Sequence, residues 1–179
     1  MRTSSPAELW DEIVASAARE SALWAEAALP AAEREPRPVF SALAEPQFAL
    51  GLETIYEGYL AHYGRPRLFA ARDADSALLL GDYLYAHGLV RVAQLGEVAA
   101  IADLADLISL CAQLRADGGA GDGEAWAATA ALLGRGELGD ARAALRDAGD
   151  AGPLLALAEA AGGPDAVGRA LAAHRLRLR

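Results

Sequence analysis

Residues 53–85, ETIYEGYLAHYGRPRLFAARDADSALLLGDYLY, decide the fold. The apolar positions leading into and through their first half, Phe48, Leu52, Ile55 and Tyr59, step by four, three and four. That spacing makes one stripe on a helix but scatters the same side chains over both faces of a strand. Gly64-Arg65-Pro66 is a turn that stops this helix, with Gly64 expected in the left-handed conformation that ends many helices. Asp73 or Asp75 then caps a second helix that runs through ALLLGDYLYAHGLVRVAQL to Gly96 and is apolar on nearly every face. Such a helix is expected to be the central and most buried one. Its Gly81 and Gly88 weaken helix propensity and point to a neighbouring helix at close range. Asp82, a carboxylate in that apolar run, is expected to need a partner in Arg65, Arg67 or a tyrosine hydroxyl.

On the N-terminal side, Ser5-Pro6-Ala7-Glu8 is a capping box with proline at the first helical position, which predicts one helix over about 5–28 with Leu9, Ile13, Ala17 and Trp24 along one face. Residues 30–38, PAAEREPRP, carry three prolines and form a linker, followed by a short helix at 39–44 and the helix over 47–62. On the C-terminal side a helix over 97–115 turns Ile101, Leu104, Ile108 and Cys111 inward, and leaves Asp103 and Asp106 on a solvated face. The glycine-rich DGGAGDGE at 117–124 is expected to be a flexible joint. Short Ala/Leu helices follow at roughly 124–134, 138–147, 152–161 and 164–176. Counted from Trp126, the tetratricopeptide pattern fails, because Thr129 and Ala130 stand where it requires Leu and Gly. No strand signal is present. The fold class is all-α, a helical bundle of about seven or eight helices in one domain, with a core at 36–116 and a short-helix part at 124–179.

Composition narrows the function. The chain has 179 residues, 54% of them hydrophobic and 23% charged, with a net charge of −9, so broad attraction to nucleic acid or anionic lipid is excluded. All sixteen basic residues are arginine. Without lysine there is no Schiff-base chemistry and no phosphate-loop lysine. The single cysteine, Cys111, sits in an apolar run and is expected to be a core residue, with no disulfide inside the chain. The start MRTSSPAELWDEI lacks the apolar run of a signal peptide and no stretch suits a membrane span, which leads to the expectation of a cytoplasmic protein in a reducing compartment.

Three landmarks in the central stretch together resemble the trans-isoprenyl diphosphate synthase (polyprenyl synthetase) family, over about residues 40–115. In that family an aspartate-rich D-D-x-x-D motif is followed by R-R-G-x-P and later by Gly-Asp inside an apolar helix. With Gly64-Arg65-Pro66 on G-x-P, Gly81-Asp82 falls on the Gly-Asp and Glu53-Thr54-Ile55-Tyr56-Glu57 on the aspartate motif. Thr54 replaces the central aspartate, His62-Tyr63 replaces the arginine pair, and no second aspartate-rich motif occurs. The resemblance implies an isoprenoid-synthase-like core, with Tyr56, His62, Tyr63, Arg65 and Asp82 as substrate-binding candidates. It implies magnesium as the one candidate cofactor, held weakly at Glu53 and Glu57, and none required. No catalytic residue is expected, since diphosphate departure needs charge neutralisation from two carboxylate clusters and a cationic clamp.

Glu53 and Glu57 are four apart on one helix, a like-charge pair that a hard cation would bridge or that arginine or solvent would relieve. All five tyrosines, Tyr56, Tyr59, Tyr63, Tyr83 and Tyr85, lie in this stretch and either line a pocket for an isoprenoid chain or pack in the core. His62 at a helix end suits the dipole, as do Arg175, Arg177 and Arg179, and His87 is expected to be packed. Three functions follow: a non-catalytic subunit that partners a catalytic prenyl synthase, a binder or enzyme acting on an isoprenoid diphosphate with one magnesium, or a helical interaction scaffold. The apolar helix at 76–95 predicts a homo- or hetero-oligomer.

Overall fold

The structure, a computed structural model, describes residues 6–178 and is all-α, as the periodicity requires. The expected first helix is broken in two. Helix α1 (Pro6–Glu20) ends at Ser21, whose hydroxyl accepts the Leu23 N–H at 3.1 Å and so starts α2 (Ala22–Ala27). The Ser5 end of the predicted capping box lies outside the described residues. From Leu29 to Glu45 the chain is irregular, with short 3₁₀ turns at Ala31–Glu33 and Ser41–Leu43, the second standing where a helix was expected. Then come α3 (Ala49–Tyr63), α4 (Ala74–Ala93) and α5 (Val98–Ala116). Four shorter helices complete the chain: α6 (Asp122–Ala131), α7 (Gly139–Ala148), α8 (Gly152–Gly162) and α9 (Pro164–Arg175).

The central helix is α3, not α4. Every residue from Gly51 to Ala61 is buried, whereas α4 buries only Leu80, Gly81, Leu84, Gly88 and Val92 and leaves Leu78, Leu79 and Val90 more than half exposed. The two helices lie against each other along glycines. A Cβ at Gly88 would stand 2.4 Å from Ile55 Cγ1 and 3.0 Å from the Gly51 carbonyl oxygen, and one at Gly58 would stand 2.9 Å from the Gly81 carbonyl oxygen. Backbone-to-backbone packing of this kind needs only a narrow stripe of α4, so its remaining apolar faces stay open. On the other sides α3 is covered by α1, α6, α9 and the bend at 39–41 that leads into the second 3₁₀ turn.

The core has two parts. The larger joins α3, α5, α6, α8 and α9 through Leu104, Leu107, Leu110, Cys111, Trp126 and Leu154. The smaller packs Trp10, Ile13, Val14 and Ala17 of α1 on Leu68, Phe69, Leu80 and Leu84. Cys111 is buried in the larger part as expected, and burial raises its thiol pKa far above the ordinary value. The glycine-rich segment is exposed at 117–120 and buried at 121–123, where it enters α6. Gly118 and Gly121 take positive φ values of 67° and 104°, and a Cβ at Gly121 would meet Leu145 Cδ1 at 2.6 Å. Gly64 departs from expectation in the opposite way. Its φ of −145° is negative, not left-handed, and glycine is required there because a Cβ would lie 2.6 Å from the Arg177 carbonyl oxygen. Among the described residues no helix is long and apolar enough to cross a membrane.

Candidate functional site

Glu53 and Glu57 project from α3 into the interior, where their side chains are 1% and 0% exposed, and the group between them is the guanidinium of Arg67. Arg67 Nη1 donates to Glu53 Oε2 at 2.7 Å and Nε to Glu57 Oε2 at 3.0 Å; Nη1 also reaches the Arg37 carbonyl at 2.8 Å. Its face lies 4.8 Å from the Trp10 ring centroid and 5.1 Å from that of Tyr56. Burial alone would depress the Arg67 pKa, but Glu53 and Glu57 outweigh it and hold the guanidinium above its ordinary value. The other two carboxylate oxygens take backbone donors. Glu57 Oε1 accepts the N–H groups of Arg67 and Leu68, each at 2.7 Å; Glu53 Oε1 accepts those of Val39 and Ser41 and the Ser41 hydroxyl. Every oxygen of the pair is engaged, so in this arrangement the residues do not fit a magnesium ion. Among the described residues no group of three or more His, Cys, Asp or Glu is placed to hold a metal.

A second polar centre lies on the next turns of α3. Tyr56 OH is 2.9 Å from His174 Nδ1, and Tyr59 OH donates to Asp122 Oδ2 in a short hydrogen bond. Arg115 of α5 donates to Tyr59 OH through Nε at 3.0 Å and Nη2 at 2.8 Å, and through Nη2 to Asp122 at 2.5 Å; His174 Nε2 lies 3.4 Å from the same oxygen. Burial pushes Asp122 upward, but the hydrogen bonds from His174 and Tyr59 and the charges of His174 and Arg115 outweigh it and hold the carboxyl far below its usual range. Burial, with Asp122 adding to it, raises Tyr59. The rings of Phe40, Tyr56, Tyr59, Trp126 and His174 pack against one another at centroid distances of 5.1–6.0 Å. Tyr56 and Tyr59 are therefore core residues with hydroxyls tied to named partners. A cavity of about 350 Å³ abuts this centre beside Asp122, His174 and Arg175. Both ring nitrogens of His174 are engaged inside, and the ring is 1% exposed, which leaves it no atom to offer a substrate.

The other predicted residues are dispersed. Asp82 is exposed, and its partner is His62, with Nε2 to Oδ1 at 3.3 Å, instead of an arginine or a tyrosine. His62 lies over Gly81 and against Tyr63 and Tyr85; burial lowers its pKa although Asp82 works against the shift. His87 stacks on Tyr83, which stacks on Trp24. Asp103, expected on a solvated face, is buried. It accepts Arg142 Nη1 at 3.0 Å and the Gly134 N–H at 2.9 Å, while Asp106 stays exposed and touches the same arginine at 3.2 Å. Arg65 is exposed at the rim of a separate cleft. Arg177 is largely buried against Glu35 at 2.5 Å. Sequence spacing gave no sign of Arg115, Asp122, Arg142 or His174, whose partners come from distant helices. No protein-family model, curated protein or solved structure matches the chain.

Proposed function

We propose that this chain is a non-catalytic helical subunit that partners a catalytic prenyl synthase. The observation that carries the reading is the Glu53–Arg67–Glu57 centre. The two carboxylates that the family resemblance assigns to magnesium are neutralised by an internal guanidinium and four backbone N–H groups. A position that binds metal in an active synthase serves here to lock α3 to the segments before and after it. Support also comes from the tyrosines, of which Tyr56 and Tyr59 fill the core instead of lining a prenyl channel. The exposed Leu78, Leu79 and Val90 on α4 supply an apolar surface for a partner helix.

The test mixes the purified chain with the prenyl synthases of its own source and follows co-migration and product length. Stable association with one synthase, or a changed product length, is the expected result, and Leu79→Glu with Val90→Glu should weaken it. No association and no change in product with any of them would refute the proposal. Magnesium, with or without an isoprenoid diphosphate, is expected to leave the melting temperature of the natural chain and of Glu53→Gln/Glu57→Gln unshifted. A shift confined to the natural chain would favour a ligand site at the pair instead, since a bound ion at tenfold its Kd stabilises by about 1.4 kcal/mol.

A further inference from the structure

Helix α4 keeps one face bare. Of the six large apolar side chains that stand exposed among the described residues, five, Leu78, Leu79, Val90, Leu95 and Val98, lie on α4, in the turn after it or at the start of α5. Within the helix, Asp75, Leu79, Asp82, Ala86, Val90 and Ala93 are all exposed and step by four, three, four, four and three, which puts them on a single stripe. The charge on this face is of one sign. From 74 to 99 the exposed residues include Asp75, Asp82 and Glu97 and no arginine. The one arginine of α4, Arg91, has a side chain only 9% exposed and turned to Ser16 and Glu12 of α1. Exposed arginines do occur elsewhere, at Arg19, Arg135, Arg146 and Arg169. The side chains of Asp75 and Glu97 make no hydrogen bond or ion pair among the described residues. Asp82 has only His62, whose ring burial holds below the ordinary histidine value, so at neutral pH the ring is uncharged and leaves the carboxylate unneutralised.

We propose that this stripe docks a basic amphipathic α-helix of a partner protein. Ala86 and Ala93 leave room beside Leu79 and Val90 for large apolar side chains of that helix, and Asp75 and Asp82 face its Arg or Lys residues. A second copy of the chain does not meet the requirement, because a two-fold interface brings the same face against itself and would add carboxylates with no cation. The same charges repel an anionic lipid surface. The inference rests on the docking face used in the synthase pairing and gives the partner helix its chemistry.

A synthetic amphipathic helix with a leucine seam and arginine flanks, labelled with fluorescein and followed by anisotropy against the full chain, tests it. Saturable one-to-one binding that added salt weakens is expected. The same peptide with glutamate in place of arginine should bind roughly tenfold more weakly. Asp75→Arg/Asp82→Arg, at exposed positions, should weaken the arginine peptide about tenfold and strengthen the glutamate peptide, without altering the circular dichroism. Glu137→Arg/Asp147→Arg makes the same change in net charge at exposed positions outside α4 and should leave both affinities unchanged. Leu79→Glu/Val90→Glu should abolish binding. Equal losses in the two arginine variants would reduce the binding to the general attraction of an acidic chain and overturn the site, as would no saturation or equal affinity for the two peptides. Self-association seen by sedimentation velocity and removed by Leu79→Glu/Val90→Glu would put a second copy in place of the basic helix. A peptide that fails while a synthase still co-migrates refutes the basic helix alone, and a peptide that binds while no synthase does refutes the synthase alone.

Discussion

Replacing Arg67 with methionine removes the one cation from a centre that holds two buried carboxylates. Arg67→Met keeps much of the apolar stem against Trp10 and Tyr56, so the change isolates the charge and its hydrogen bonds to Glu53, Glu57 and the Arg37 carbonyl. Breaking a buried pair by removing one partner costs about 3–5 kcal/mol, because the carboxylates left behind have lost water and keep only the backbone N–H groups of Val39, Ser41, Arg67 and Leu68 and the Ser41 hydroxyl, with no cation between them. Against a total of about 5–15 kcal/mol for a domain, that is a large share. For a chain of this length it corresponds to a fall of roughly 6–20 °C in Tm. Urea unfolding followed by far-UV circular dichroism measures it. The decisive comparison is Arg67→Met/Glu53→Gln/Glu57→Gln, which removes all three charges. It should recover more than half of the loss, because the penalty belongs to the stranded carboxylates and not to the missing arginine. A loss below about 1 kcal/mol in the single variant, or a triple variant no more stable than the single, would refute the reasoning.

Gly88→Ala should cost about 1–3 kcal/mol in urea unfolding, since its Cβ would meet Ile55 and the Gly51 carbonyl, whereas Gly168→Ala, with open space around it in α9, should add roughly 0.5–1 kcal/mol. His62 and His87 are both held below the ordinary histidine value, chiefly by burial. The unfolded chain, titrating near ~6.5, therefore binds more protons in the window below that pH. Stability is expected to fall as pH drops from about 6.5 towards the folded values, and His62→Gln/His87→Gln should flatten that slope in midpoint measurements. Asp122, held low by His174, Tyr59 and Arg115 against the effect of burial, contributes stability that is present above the unfolded pKa near ~3.9 and is lost as pH falls through the folded value. Asp122→Asn should accordingly be less stable at neutral pH and show a shallower acid slope in the same assay.

The helices were legible because their apolar spacing is local: Phe48, Leu52, Ile55 and Tyr59 report a helix whatever lies around them. Which helix sits at the centre was not legible, because exposure depends on how many neighbours a helix acquires. Helix α4 is apolar on most faces, yet its glycines let α3 approach so closely that one narrow stripe satisfies the contact. The glycines themselves were a correct sign of that approach. Asp82 was misplaced for the same reason, since a surface position needs no buried partner. Arg67 lies 14 and 10 residues from Glu53 and Glu57, and His174 is 118 residues from Tyr56; no helical or strand period connects such pairs. A carboxylate pair at i and i+4 has the same sequence pattern whether it faces water, a metal or an arginine.

The centre also explains why two stretches that look like mere connectors are built as they are. Glu53 and Glu57 carry two negative charges and Arg67 one positive charge, so the guanidinium alone leaves a surplus buried on α3. That surplus is met by the N–H groups of Val39, Ser41, Arg67 and Leu68. Those donors are free because neither segment is an α-helix: the run through Pro36 and Pro38 cannot form one, and Gly64-Arg65-Pro66 stops one. A helix at either place would turn the same N–H groups onto its own carbonyls and strand the carboxylates. The prolines therefore do more than interrupt. They keep backbone donors available on both sides of α3, and the two acids bind the chain before and after the helix to one point, with Arg67 contributing its backbone N–H to Glu57 as well as its side chain.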